Sequence, residues 1–248
     1  MKRGTAVNRA LRRKQAGKKN NSGGEFSKQI FTPETTGLSH YQLSKLQQCM
    51  MQARQAYTNK DFAQAEKYCN ECLSIYPLYA MPLAMLSKIA ARFEKYEAAE
   101  ELILKSLRIL PKVPERLLAY AGILKNLGRH DEALSVIDKS LKIEPNSSTG
   151  LNRRAGALNV LGRQAETLQI YEKIMKTDPL FGGAHHNFAM QHKFSDGDEY
   201  NKYFDKLAVN INKMTKSNDL MTGHFALGKY YEDLKEFKTG FGHFLSAN

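Results

Sequence analysis

The repeating unit of this chain lies between two prolines, in the stretch PKVPERLLAYAGILKNLGRHDEALSVIDKSLKIEP (residues 111–145). Two further prolines, Pro77 and Pro179, stand 34 residues before and 34 residues after this stretch. Because proline lacks a backbone N–H and disfavours helix in the residue before it, each of these prolines predicts the end of a helix. A fixed period of this length is typical of stacked supersecondary units.

The prolines define four repeats. With each proline at position 32, the repeats span residues 46–79, 80–113, 114–147 and 148–181. Small side chains recur at position 8, as Ala53, Ser87, Ala121 and Ala155. They also recur at position 20, as Ala65, Ala99 and Ala133, where the fourth repeat departs from the pattern with Thr167. Small residues allow two helices to cross closely. Each repeat is therefore predicted to be a pair of antiparallel helices.

These repeats resemble the tetratricopeptide repeat (TPR) family. Gly128-Arg129 and Gly162-Arg163 supply the glycine that a helix C-terminus prefers, whereas the family's aromatic residue at position 4 is replaced by Cys49, Leu83, Leu117 and Leu151. The resemblance implies an all-α fold, a right-handed α-α superhelix (TPR solenoid) of about six helix pairs. It also implies an inner wall, formed by the first helix of each pair, that holds peptides or neighbouring domains.

The chain continues beyond the four repeats in both directions. Residues 39–181 form the regular array, which begins at a predicted capping box, Ser39-His40-Tyr41-Gln42. Residues 182–220 predict an irregular fifth helix pair, with its first helix over 184–194 and a second helix whose apolar face holds Tyr200, Phe204, Leu207, Ile211 and Met214. Residues 221–248 predict an incomplete sixth repeat, with Leu227-Gly228-x-x-Tyr231 as its motif and Leu234, Phe237 and Phe244 as packing positions.

The positive charge of the chain is concentrated near its N-terminus. Residues 1–28 contain nine basic residues and one acid, Glu25, so they carry +8 of the net charge of +12. We expect residues 1–38 to be a disordered basic tail. A transit peptide, or a tail that binds RNA, anionic lipid or acidic protein, remains an alternative. Since no aromatic residues are interleaved with the charges, no specific nucleic-acid binding is predicted.

Metal and catalytic sites are not predicted. Cys69-x-x-Cys72 falls on helix-packing positions, and His185, a position-4 packing residue, diverges from His186, so packing is preferred to a metal site with His192. The phosphate-binding and nucleophile motifs of common enzymes are missing, so no catalytic residue and no cofactor is expected in this chain. The odd cysteine count and the lack of an apolar membrane segment predict a cytoplasmic protein.

The inner wall supplies the candidate binding residues. Inward-facing positions of the first helices hold basic and amide side chains, with Glu115 as the one acid: Arg54, Lys88, Arg92, Lys125, Asn126, Asn152, Arg153, Asn159, His186, Asn187 and Lys193. Guanidinium and ammonium groups suit carboxylates or phosphates, and asparagine amides both donate to and accept from a peptide backbone. The prediction is a groove for an acidic or extended polypeptide, with a solvated helix face as the alternative.

A second resemblance concerns the C-terminal residues. The stretch HFALGKYYEDLKEFKTGFGHFLSAN (residues 224–248) is similar to the last repeat of bacterial TPR-containing sulfotransferases. That resemblance implies an array that precedes a catalytic domain using 3′-phosphoadenylyl sulfate (PAPS), located beyond Asn248, with no catalytic residue in this chain. The alternatives are a free-standing TPR adaptor, a glycosyltransferase-associated array and an RNA-associated adaptor.

Overall fold

The structure is a computed structural model that describes residues 33–247. Within that range the regular elements are helices, and six helix pairs follow one another along the chain. The all-α repeat of helix pairs predicted from the proline spacing is therefore confirmed. The chain divides after Glu144 into two compact units, here called the N-terminal unit and the C-terminal unit. Between residues 33 and 247, no helix is long and apolar enough to cross a membrane.

The N-terminal unit begins with a single helical turn, which three helix pairs follow. Its helices are α1 (Pro33–Thr36), α2 (His40–Thr58), α3 (Phe62–Ile75), α4 (Ala80–Arg92), α5 (Tyr96–Ile109), α6 (Pro114–Asn126) and α7 (His130–Leu141). The predicted capping box is present, because Ser39 Oγ accepts from the Gln42 N–H at 3.2 Å and Gln42 Oε1 accepts from the Ser39 N–H at 3.0 Å.

The predicted tail contains helix α1, which differs from the disorder expected for residues 1–38. Pro33 stands at the first position of this turn, where its fixed φ and missing N–H suit a helix. The tail residues 1–32, including the basic stretch 1–28, lie outside the described range.

The two helices of each repeat cross at the small residues that define the repeat. Side chains at positions 8 and 20 are no more than 2% exposed in all four repeats. Ser87 Oγ donates across the crossing to the Ala99 carbonyl at 2.7 Å. The Thr167 hydroxyl has two acceptors within reach, the Arg163 carbonyl of its own helix at 3.0 Å and the Ala155 carbonyl across the crossing at 3.3 Å. Thr167 departs from the alanine of its sister repeats, and its bonded hydroxyl explains why it is tolerated.

Position 27 forms a second contact that recurs through the N-terminal unit. Its side chain donates from the second helix of a repeat to the carbonyl of position 1 in the first helix. The pairs are Cys72 Sγ to Leu46 O at 3.8 Å, Ser106 Oγ to Ala80 O at 2.6 Å and Ser140 Oγ to Pro114 O at 3.3 Å. These bonds satisfy a buried polar group inside each pair, so they fix the second helix against the start of the first.

The turn between the two helices of each repeat contains one residue in the left-handed region. Its φ is +64° at Lys60, +59° at Glu94, +74° at Gly128 and +76° at Gly162, and these residues are spaced 34 apart. Glycine adopts this conformation without the steric penalty of about 1–2 kcal/mol that other residues incur. The glycines at 128 and 162 were expected from the sequence; the lysine and the glutamate at the same position were not.

Introducing a glycine at this turn should therefore stabilise the protein, and removing one should destabilise it. We expect Glu94→Gly to raise the free energy of unfolding by about 0.5–1 kcal/mol and Gly128→Ala to lower it by about 1 kcal/mol. A Cβ at Gly128 would meet no atom within 4 Å, so its cost is conformational alone. Urea unfolding followed by circular dichroism measures both. A loss of stability in Glu94→Gly would contradict the argument.

The C-terminal unit also holds three helix pairs, of which the middle one is irregular. Its helices are α8 (Ser148–Val160), α9 (Gln164–Thr177), α10 (Gly182–Ala189), α11 (Asn201–Asn210), α12 (Ser217–Asp233) and α13 (Phe237–Ala247), with a 3-10 turn at Ile211–Lys213. Helix α12 begins four residues before residue 221, where the predicted sixth repeat starts.

The first helix of the irregular pair is shorter than predicted. It ends at Ala189 instead of continuing to Phe194, because the following residues fold into an aromatic cluster. His192 Nε2 lies 2.6 Å from Asp198 Oδ2, and the Phe194 ring lies 4.6 Å from that of Phe204. The predicted apolar face of the second helix is confirmed in part: Phe204 and Leu207 are buried on α11, whereas Ile211 and Met214 are buried beyond its end and Tyr200 is half-buried just before its start.

The last pair, α12 and α13, crosses at two glycines. A Cβ on Gly228 would lie 2.5 Å from the Phe244 ring, and one on Gly240 would lie 3.0 Å from the Gly228 carbonyl oxygen. Phe244 is thus a packing residue, as predicted. Phe237 is not: it is 66% exposed, together with Phe241 and Leu245 on the same face of α13, because the helix turns this face away from α12.

Candidate functional site

The predicted binding residues of the N-terminal unit lie on the first helices of its pairs. Arg54 lies on α2, Lys88 and Arg92 on α4, and Lys125 and Asn126 on α6, and all five are exposed. They therefore lie on the first helices of successive repeats. The Arg92 guanidinium lies over an aromatic ring of α3, 4.8 Å from the ring centroid of Phe62.

Arg54 contacts a residue at the start of the second helix pair. Its Nη2 lies 3.4 Å from the sulfur of Met81, and the Tyr79 hydroxyl donates to the same sulfur at 3.8 Å. Burial raises the pKa of the Tyr79 hydroxyl, and the positive charges of Arg54 and of Arg116, near the start of α6, act in the opposite direction.

Arg116 was missed because position 3 is not among the inward positions taken from the repeat. The other repeats have uncharged residues at this position: Gln48, Pro82 and Gly150. The charge of Arg116 was therefore visible in the sequence as a departure from the repeat pattern. Arg116 is 8% exposed, and burial lowers the pKa of its guanidinium. Its Nη1 has no hydrogen-bond partner in the described part of the chain.

The C-terminal unit brings together three of the predicted residues. Asn152 on α8 and Asn187 on α10 are joined by a hydrogen bond of 3.0 Å from Asn187 Nδ2 to Asn152 Oδ1. His186 Nδ1 lies 3.4 Å from Asn187 Oδ1. Asn159 at the end of α8 and Lys193 after α10 are exposed.

A pocket opens beside the asparagine pair. Its volume is about 340 Å³, and it is lined by Thr149, Asn152, Arg153, Phe181, Gly183, Lys216, Asn218 and Asp219. Asp219 is buried, and its Oδ2 lies 3.9 Å from Lys216 Nζ, so that lysine is only loosely paired. The pocket offers amide, hydroxyl, guanidinium and ammonium groups beside the Phe181 ring. Its walls come from the beginnings of α8, α10 and α12.

Sequence reasoning found only Asn152 and Arg153 among the pocket residues. Lys216, Asn218 and Asp219 belong to the irregular region, where the 34-residue register is lost, and Phe181 lies in the linker before α10. No position-based rule applied to them.

The three cysteines are part of the core of the N-terminal unit. Cys69 and Cys72 are fully buried, Cys49 is 4% exposed, and all three are free thiols. Burial raises the pKa of Cys69 and of Cys72 to about 12, so both stay protonated at neutral pH. The prediction that Cys69-x-x-Cys72 is a packing pair is confirmed. A protonated, inaccessible thiol is neither a good nucleophile nor a metal ligand.

The histidines of the fifth pair separate into different environments. His185 is fully buried, as predicted for position 4, whereas His186 is half-buried beside Asn187 and His192 contacts Asp198. Across residues 33–247, no three His, Cys, Asp or Glu side chains form a group that could hold a metal ion.

Comparison with known proteins agrees with the repeat. Residues 114–147 match the sequence profile of the tetratricopeptide repeat family. No curated protein matches the chain. The chain is similar to the crystal structure of PilW, a type IV pilus biogenesis factor, with 18% identity, a TM-score of 0.60 and coverage of 83% of this chain and 91% of that one.

Two further structures are also similar. The PilF structure of Pseudomonas aeruginosa is 18% identical, with a TM-score of 0.62 over 82% of this chain and 90% of that one. The crystal structure of the MamA protein is 13% identical, with a TM-score of 0.50 over 82% and 90%. At these identities the likeness concerns the fold. The chain has the tetratricopeptide-repeat fold.

Proposed function

We propose that this chain is a tetratricopeptide-repeat interaction scaffold that binds an extended, acidic polypeptide in its C-terminal unit. The observation that carries the proposal is the pocket of about 340 Å³ beside Asn152 and Arg153. Both residues were predicted from the inward-facing positions that the TPR resemblance implies, and Lys216 and Asn218 join them in the pocket. Such repeats usually bind proteins or peptides, and this pocket has the chemistry for an acidic one.

The polar groups of the pocket divide between two tasks. The amides of Asn152 and Asn218 match the donors and acceptors of an extended peptide backbone. Arg153 and Lys216 match carboxylate side chains, since hydrogen bonds between charged partners are about twice as strong as neutral ones. Asp219 disfavours a second carboxylate deep in the pocket, because it is a buried acid.

Charge reversal in the pocket tests the proposal. We expect Arg153→Glu combined with Lys216→Glu to weaken binding by about tenfold to a hundredfold, because two charge-assisted contacts become repulsive. The probe is a panel of fluorescent, extended peptides of graded negative charge, and the measurement is fluorescence anisotropy at physiological salt.

The matched control is Lys173→Glu combined with Lys206→Glu. These lysines are exposed on α9 and α11 of the same unit and do not line the pocket, so the control changes the net charge equally. Its affinity should stay close to that of the unchanged protein. Equal losses in the two variants would show non-specific attraction and contradict a binding pocket.

A second proposed role is the substrate- or partner-binding array of a sulfotransferase. It is supported by the similarity of residues 224–248 to that family's last repeat and by the packing of Phe244 on Gly228 within this stretch. The test is to read the gene beyond codon 248 and to assay the natural protein for sulfate transfer from PAPS. A stop codon at that point would refute the role.

We also infer a cytoplasmic location. The support is the three free, buried cysteines of the N-terminal unit, because a reducing compartment keeps thiols in this state. Cell fractionation with an antibody against the chain tests it, and recovery outside the cytoplasm would contradict it.

A further inference from the structure

Two histidines of the last helix pair face each other. His224 lies on α12 and His243 on α13, and their Nδ1 atoms are 3.0 Å apart. The ring centroids are separated by 5.2 Å, and the ring planes are inclined at 38° to each other. Both side chains are half-buried and neither lines the pocket of the proposed function, so this pair has no role assigned to it so far.

The packing around the pair holds the two imidazoles in place. A Cβ on Gly240 would lie 3.0 Å from the Gly228 carbonyl oxygen, so the backbones of α12 and α13 are in close contact near the pair. The Tyr231 ring stacks on the imidazole of His243, with 5.5 Å between the centroids and 4° between the planes. A ligand that binds both rings therefore has little conformational freedom to remove.

The distance between the two nitrogens is that of two ligands on one metal ion. Bonds from Zn²⁺ to imidazole nitrogen are about 2.0–2.1 Å long, so two such ligands at right or tetrahedral angles lie about 2.9–3.4 Å apart. The separation of 3.0 Å falls within this range. In the metal-free protein the same distance allows one Nδ1–H to donate to the other Nδ1, and a metal ion takes the place of that proton.

The imidazoles are also in the form that a metal ion requires. Burial lowers the pKa of both His224 and His243, and the charge of His224 lowers the pKa of His243 further. Neutral imidazole, which keeps a free lone pair, is the ligand form. Between residues 33 and 247, neither ring forms an ion pair with a carboxylate, in contrast to His192, whose Nε2 lies 2.6 Å from Asp198 Oδ2.

We propose that His224 and His243 bind one divalent transition-metal ion of the class that prefers imidazole, such as Zn²⁺, through their Nδ1 atoms. Mg²⁺ and Ca²⁺ prefer oxygen ligands and are not expected here. The two histidines are 19 residues apart in sequence, so no short motif marks them. Two protein ligands leave the other coordination positions to water, which distinguishes this site from the clusters of three ligands that are absent between residues 33 and 247.

Calorimetric titration of the full chain with Zn²⁺ tests the site. We expect saturable binding of one ion per chain, no binding of Mg²⁺, and a loss of affinity of at least about tenfold in each of His224→Gln and His243→Gln, because each removes one of two ligands that act together. Circular dichroism checks that the variants are folded. Absence of Zn²⁺ binding by the unchanged protein, or a loss in only one of the two variants, would overturn the proposal.

His192→Gln is the matched control, because His192 with Asp198 is the other place in this unit where an imidazole lies beside a possible ligand. This variant should bind Zn²⁺ as the unchanged protein does. An equal loss of affinity in His192→Gln would place the ion there and contradict the site.

Nitrogen NMR of the histidine rings tests the same site without any substitution. Zn²⁺ should shift the Nδ1 resonances of His224 and His243 together, in proportion to the occupancy that calorimetry measures. If both resonances stay unchanged while Zn²⁺ is bound, the two imidazoles form a hydrogen bond only and the proposal is wrong.

Discussion

Replacing Gly182 with alanine is expected to lower the free energy of unfolding of the C-terminal unit by about 2–3 kcal/mol. Gly182 is the first residue of α10, and a Cβ built on it would lie 2.1 Å from the Asp219 carbonyl oxygen and 2.5 Å from Thr222 Oγ1. The obstructing carbonyl belongs to the backbone of α12, so no rotamer change can relieve the contact. The two helices would have to separate, and buried contacts between them would be lost.

The matched control for this change is Gly156→Ala. Gly156 lies inside α8 of the same unit, and a Cβ there would meet no atom within 4 Å. Alanine should therefore stabilise this helix by about 0.5–1 kcal/mol, through the loss of backbone freedom in the unfolded chain. Native-state hydrogen exchange measured by mass spectrometry resolves the two units. Similar protection of α10 and α12 in both variants would contradict the close approach at Gly182.

The register of the repeats was accessible from the sequence because it depends on volume and backbone chemistry that recur. Prolines mark helix ends, and alanines mark crossings, whatever the neighbouring repeats contain. Even Thr167, which breaks the pattern, is tolerated because its hydroxyl has acceptors in the Arg163 and Ala155 carbonyls. Such local rules place a helix pair without knowledge of its surroundings.

The candidate sites were accessible only in part, because they depend on contacts between repeats. Asn152 and Arg153 follow from inward positions on α8, but Lys216 joins them only because α12 begins beside α8. Arg116 has a similar explanation, since its charge acts on Tyr79, a residue of an earlier repeat. A periodic rule describes each repeat alone, so it could not show which side chains of different repeats converge.

The irregular fifth pair shows a different limit. Its first helix was expected to continue to Phe194, yet it ends at Ala189 because aromatic packing is more favourable than further helix. Phe188 contacts the rings of both Phe194 and Tyr200 at 6.2 Å and 4.7 Å. Apolar residues in a helical period are also compatible with a compact loop, and only the tertiary structure distinguishes the two.

Acid is expected to destabilise the C-terminal unit through His185. Burial lowers the pKa of this fully buried imidazole to about 4, although the carbonyl of Phe181, 3.3 Å from Nδ1, and the charge of Asp178 act in the opposite direction. An unfolded histidine titrates near 6.5, so below that pH the unfolded chain binds a proton that the folded chain does not. The stability is complete above pH 6.5 and falls between pH 6.5 and pH 4, by about 2–3 kcal/mol.

Replacing His185 with leucine should remove this dependence of stability on pH. His185 stands at position 4, where the earlier repeats have Leu83, Leu117 and Leu151, and its Nε2 has no hydrogen-bond partner within residues 33–247. We expect His185→Leu to be at least as stable at pH 7, because it replaces a buried polar atom by an apolar group of suitable size. Its stability should also change less between pH 6.5 and pH 4.

Urea unfolding at a series of pH values measures this difference, with the contribution of the C-terminal unit followed by hydrogen exchange in α10 and α11. His186→Gln is the control, because it removes the neighbouring half-buried imidazole from the same helix. This variant should still lose stability in acid as the unchanged protein does. If His185→Leu lost as much stability in acid as the unchanged protein, the loss would have to come from carboxylates elsewhere. A smaller loss in that variant alone would show that one buried imidazole at position 4 makes the irregular pair acid-sensitive.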